Sequence, residues 1–308
     1  MSRKPQYSLA RLNDSVLGVW GLLLPQSEGL DHLLRLLSTW SGTDKFFTLL
    51  QSTCKILVPL LHLRARLQHR AGLSRVATSS AATGFSKFAS IISDSQMLGR
   101  FWGLLQIFQW LISLERTQQP TRNLLTIERL QGWSMLGYYP LEHLSYLRTH
   151  DVIPASVSSP VSIFDSTAKP ISLDSGFLSR WSCRFWASYI VLQFAHLRED
   201  RQLLQFQQRA LRRKSRGTVT AAEKQDLARK WDAYFSGLLV NACNLPLALH
   251  WSIDGGLIKN SLVVDILSFI AAVVSFRTGW KATALPSVSP PLPDISDLAA
   301  PPIEHPAT

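Results

Sequence analysis

Residues 231–256 read WDAYFSGLLVNACNLPLALHWSIDGG, and residues 257–279 continue as LIKNSLVVDILSFIAAVVSFRTG: two apolar arms that meet at a glycine pair. From Ala233 to Ile253 there is no Asp, Glu, Lys or Arg, and about 20 apolar residues at 1.5 Å each are what a helix needs to cross a bilayer. The second arm, Leu257 to Phe276, has a suitable length but carries Lys259 and Asp265. Asp254-Gly255-Gly256 supplies the residues a tight reversal between helices would use. Membrane association is therefore the first expectation.

Asp265 is the awkward residue of this hairpin, because a carboxylate at mid-bilayer costs about 2.5 to 3.5 kcal/mol. In an antiparallel hairpin turning near Gly255, position 265 lies at the depth of position 245, which places Asn241 or Asn244 to hydrogen-bond it. The alternative is that Leu257 to Phe276 lies shallowly or inserts only in part.

Composition agrees with a membrane protein. The 308 residues are 46% hydrophobic with ten Trp and only 17% charged residues, at a mean hydropathy of +0.07. A net charge of +11 asks for an anionic partner, and the apolar content favours an acidic membrane face over nucleic acid, for which no binding motif is present. Cys54, Cys183 and Cys243 are too few and too scattered for a disulfide framework or a metal cluster. The run Val16 to Leu24 lacks a small-residue cleavage site after Pro25, so secretion is rejected.

Apolar residues recur at helical spacing through Leu30–Trp40, Asp44–His69, Leu73–Ile92, Leu98–Leu114, Leu124–Leu147, Phe177–Leu211 and Ala221–Leu245. The fold class is all-α: a helical, membrane-associated protein with an amphipathic helix in its N-terminal half and a C-terminal apolar helical hairpin over 233–277. Thr43 or Asp44 should cap the second helix, Pro59 should kink or divide it, and Gly72 should end it. The expected organisation is an extension (1–29), a helical region (30–150), a Ser/Pro-containing linker (151–176), a second helical region (177–281) and a disordered Pro-rich tail (282–308).

Leu73, Val76, Ala77, Ala81, Phe85, Phe88 and Ile92 fall three or four residues apart and form one stripe, opposite a face of mostly Ser and Thr. Such a helix suits the interfacial plane of a bilayer, driven chiefly by burial of Phe85, Phe88, Ile91 and Ile92 at roughly 1.5 to 3 kcal/mol each, with Arg75 and Lys87 as surface contacts. The same stripe would equally serve to pack against neighbouring helices, which is the commoner use of an isolated amphipathic pattern. Arg198 to Lys230 holds ten Lys or Arg against four Asp or Glu, including Arg212, Arg213, Lys214 and Arg216. Beyond a solvated loop, these basic residues fit the positive-inside pattern and contact with a lipid surface, and they set the loop in the cytosol. The eight His residues show no metal-ligand spacing, and no phosphate-cradling glycine motif is present, so the chain reads as no enzyme and needs no cofactor.

Six blocks together resemble the peroxin eleven family of peroxisomal membrane proteins, in its C-type branch: TDKFFTLLQSTCKIL (43–57), LSRVATSSAATGFSKF (73–88), SDSQMLGRFWGLLQIFQW (93–110), IERLQGWSMLGYYPLEHLSYL (127–147), LSRWSCRFWASYIVL (178–192) and LLVNACNLPLALHWSIDGGLI (238–258). The resemblance implies a protein of the peroxisomal membrane, with both termini in the cytosol, that remodels and elongates the membrane and promotes peroxisome fission and proliferation. It further implies an inserting amphipathic helix, which corresponds here to Leu73–Ile92, and partners in membrane lipids, further copies of the chain, other family members and the fission machinery. Two other readings stay open at this stage. The polar residues Asn241, Asn244 and Asp265 in the hairpin suit a channel for small metabolites, and the helices suit a scaffold that recruits fission proteins.

Overall fold

The computed structural model describes residues 27–158, 170–213 and 220–285. Helices α1 (Glu28–Leu37), α2 (Trp40–Arg70), α3 (Ser80–Gly99), α4 (Gly103–Arg116), α5 (Arg122–Thr149), α6 (Ser175–Arg213), α7 (Ala221–Ser252) and α8 (Ser261–Ala282) make up almost all of it. Among the described residues one pair of strands, Ser156–Val157 against Ile171–Ser172, is antiparallel and lies within the predicted linker. Residues 1–26 of the expected extension, the tail from residue 286, and Lys214 and Arg216 lie outside the described residues.

Caps explain where the helices start. Ser79 Oγ accepts from the Ala82 N–H, Thr121 Oγ1 from the Leu124 N–H, and Thr220 forms a reciprocal capping box with Glu223. For α2 the cap is Thr39, whose Oγ1 accepts from the Gly42 N–H at 3.0 Å. Thr43 and Asp44 therefore lie inside the helix, and the Thr43 hydroxyl instead donates to the Leu37 carbonyl at 2.6 Å across the α1–α2 corner. α2 runs through Pro59 undivided and closes at Gly72, whose φ of +71 suits glycine.

The amphipathic helix begins seven residues later than predicted. Leu73, Val76 and Ala77 precede it in a turn, because Ser74 Oγ accepts from the Val76 N–H and donates to the Val76 carbonyl, while His69 bonds the Ser74 carbonyl. These local side-chain bonds compete with helix, so the Ser/Thr-rich approach remains irregular until Ser79 caps Ser80.

Each helix packs mainly on its neighbours in the spatial order α4, α5, α6, α7, α8, α2, α3. The pairings are antiparallel: Gln96 of α3 reaches Asp44 of α2 while Gln51 reaches Ala89, and Phe276 of α8 lies 6.4 Å from Phe46. The α7–α8 hairpin turns at Gly255 and Gly256, both left-handed (φ +74 and +73), with the Ile258 N–H donating to His250 Nδ1 at 3.0 Å. Its open end is tied by Asp232, which accepts from Arg277 and Lys281. α1 folds back on that end, where His32 lies over Trp280.

Candidate membrane-contacting surface

By length and composition α2 and α8 can each cross a membrane. Only 11% of the apolar window of α2 and 17% of that of α8 are buried inside the protein, whereas a core helix of a soluble protein is mostly buried. The apolar side chains of these two helices therefore need another apolar medium. The first arm of the hairpin, in α7, does not reach the same measure. Ser236, Asn241, Asn244 and His250 dilute its apolar character. Trp231 and Trp251 nevertheless stand 20 residues apart on α7, about 30 Å of helix, the thickness that interfacial Trp belts bracket.

α3 divides the predicted stripe between two faces. Ala82, Ala89, Ile92 and Gln96 are buried against α2, the helix α3 packs on. Phe88 (44% exposed) and Ile91 (65%) turn outward, and Phe85 (38%) sits at the boundary. Of the residues expected to insert, Ile92 is thus part of the core, while Phe85, Phe88 and Ile91 are available. Leu98 extends the outward stripe, which continues through Trp102 of the 3₁₀ turn Arg100–Trp102 to Leu105, Phe108 and Ile112 of α4. The apolar spacing over Leu98–Leu114 predicted this helix but not its outward apolar face. Its i, i+3 spacing of exposed apolar residues was the available signal.

The basic residues expected at the lipid surface are scattered. Lys87 is exposed on α3, Arg75 is in the turn before it, and Arg212 and Arg213 are exposed at the end of α6. The hairpin polar contact is not formed: Asn241 Nδ2 donates to its own helix, at the Gly237 carbonyl, 2.8 Å away. Asp265 faces α2 instead and lines a cavity together with Lys55.

Sequence reasoning missed a polar clamp joining the end of α3 to α5. Arg100 Nη1 donates to Glu142 Oε1 at 2.8 Å, and the Tyr138 hydroxyl donates to the same oxygen. Phe101 stacks on His143 at 4.0 Å between ring centroids. Burial pushes the Tyr138 hydroxyl well above its ordinary value, so it stays a donor. Burial, reinforced by Glu142, likewise pushes the Cys183 thiol up to about 11, which leaves it unreactive at neutral pH. Among the described residues no three His, Cys, Asp or Glu side chains are grouped to hold a metal ion. The clamp is built to hold helices together.

No curated protein and no solved structure matches the chain. Among protein families, residues 30–280 match Peroxisomal biogenesis factor 11 (PEX11), most of the chain from α1 to the last turns of α8. With a helical fold, two helices apolar enough to span and that match, the chain belongs to the PEX11 family and is a peroxisomal membrane protein involved in peroxisome proliferation.

Proposed function

We propose that this protein elongates the peroxisomal membrane and promotes fission by inserting the outer face of α3 into one leaflet. The observation that supports this is the division of α3 itself: one face is locked on α2 through Ala82, Ala89 and Ile92, and the other offers Phe88 and Ile91 to the surroundings. An apolar face buried about 5 to 10 Å into one leaflet expands that leaflet and favours positive curvature. In this reading Lys87, Arg75 and the exposed Arg212 and Arg213 rest on the lipid surface, and both termini face the cytosol, with the basic segment before α7. Copies of the chain associate to concentrate the wedges, and other family members and the fission machinery are recruited there.

Expression of the full chain and of a Phe88→Glu variant in cells, each fluorescently tagged, tests the reading. Elongated or more numerous peroxisomes with the former and ordinary ones with the latter, both proteins being at peroxisomes, is the expected result. Equal effects of the two would rule out α3 as the wedge.

A further inference from the structure

Between α2, α3 and α8 lies a cavity of about 630 Å³, within the usual range for small-molecule sites. Lys55, His62 and Arg66 line it from α2, at spacings of seven and four that set all three on one helical face. Opposite them Ser86, Ser90 and Ser93 line it from α3. None of these three hydroxyls, and neither His62 nor Arg66, makes a hydrogen bond or ion pair among the described residues. Lys55 has Asp265 of α8 as its electrostatic neighbour, and Asp265 lies on the same cavity wall.

Unspent cations facing unspent hydroxyls are the donor set for a phosphate. Arg and Lys supply charge-assisted hydrogen bonds and Ser hydroxyls fill the remaining oxygen lone pairs. Lys55 and Arg66 outnumber Asp265, so the lining is net positive even with His62 neutral. The cavity is larger than a phosphate alone, which leaves room for the glycerol or other stem that carries it.

We propose that this cavity is a binding site for a phosphate monoester, borne by a membrane lipid or by a small soluble metabolite. Asp265, the carboxylate of that lining, opposes the charge of the ligand and sets a limit on its affinity. The site does not depend on insertion of α3, because Phe88 and Ile91 lie outside its lining.

The test titrates the detergent-solubilised full-length chain with dioctanoyl phosphatidic acid, a phosphate monoester, with dioctanoyl phosphatidylcholine as the diester control and inorganic phosphate as competitor. Saturable binding of the monoester is expected, weakened roughly tenfold by Lys55→Gln or by Arg66→Gln, tightened by Asp265→Asn, and unchanged by the pair Arg116→Gln, Arg122→Gln, two exposed cations outside the cavity. Competition by inorganic phosphate assigns the site to free phosphorylated metabolites, and failure to compete assigns it to the lipid. The proposal is overturned if the chain shows no saturable binding, if the Arg116, Arg122 pair weakens binding as much as the cavity variants do, or if neither cavity cation matters. Circular dichroism checks each fold. Should Arg66→Gln lose helix content, Ser90→Leu, which fills the cavity from an exposed position on α3, takes its place and must abolish binding.

Discussion

The side-chain amide of Gln96 donates to Asp44 Oδ1 at 2.8 Å and to Thr48 Oγ1 at 2.9 Å, pinning the last turns of α3 to the first turns of α2. Gln96 is 6% exposed, so removing its amide strands a carboxylate and a hydroxyl with little water to replace it. Gln96→Leu should lower stability by about 1 to 3 kcal/mol. Hydrogen exchange on the solubilised protein should show faster opening across 80–99, and unchanged exchange there would mean the amide contributes little.

Two neighbouring apolar residues of α3 should behave in opposite ways. Ile92→Ala removes a side chain that is 5% exposed and should cost about 2 to 5 kcal/mol. Phe88→Ala, at an outward position, should leave the melting temperature in detergent nearly unchanged while weakening association of the chain with lipid. Equal losses of stability from the two would mean that Phe88 is also part of the core.

His196 gives the fold a pH dependence. Its Nδ1 lies 3.0 Å from Asp200 and its Nε2 3.1 Å from Glu128. The Asp200 hydrogen bond first, and then the two charges with the Glu128 bond, outweigh burial and raise its pKa above the ordinary value. The folded state therefore binds this proton more tightly than the unfolded chain does. The stability it contributes is fully present below about pH 6.5 and is lost as pH rises through the raised folded value. Burial lowers the pKa of His143, an opposite tendency that a comparison with His196→Gln cancels. The wild-type melting temperature should fall more than that of His196→Gln between about pH 6 and pH 8, and parallel curves would discount the pair.

At the α1–α2 corner there is no room for a side chain on residue 42. A Cβ there would lie 2.0 Å from the Leu36 carbonyl oxygen and 2.7 Å from Thr39 Oγ1. The obstacle is backbone, which cannot turn aside as a side-chain tip can, so Gly42→Ala should cost about 1 to 3 kcal/mol and speed proteolysis between Leu37 and Trp40. An unchanged digestion pattern would show that the corner yields freely.

How much of this was legible in the sequence differs from element to element. The helices were visible because their apolar spacing is a local property, and the α7–α8 reversal because Gly255 and Gly256 advertise positive φ. The start of α3 was misplaced because the stripe from Leu73 continues through Ser74 and Ser79, whose hydroxyls bind backbone and cap instead of continuing the helix. α2 did not stand out as a possible span because Lys55, Arg64 and Arg66 interrupt its apolar runs, and Lys55 and Arg66 face a cavity that only α3 and α8 complete. The Arg100–Glu142 clamp joins residues 42 positions apart, and no local pattern announces such a pair.

The antiparallel seam between α2 and α3 means that the two helices share one orientation. α2 has 31 residues, about 46 Å at 1.5 Å each, and α3 lies along it from Gln96 beside Asp44 to Ala89 beside Gln51. A protein whose α2 stands upright across the bilayer carries α3 upright beside it, and a protein whose α3 lies flat must lay α2 down or part the seam. Because Gln96 ties α3 to Asp44 of α2, whatever tilt α2 takes toward the bilayer is passed on to α3, and the outward face of Phe88 and Ile91 goes with it.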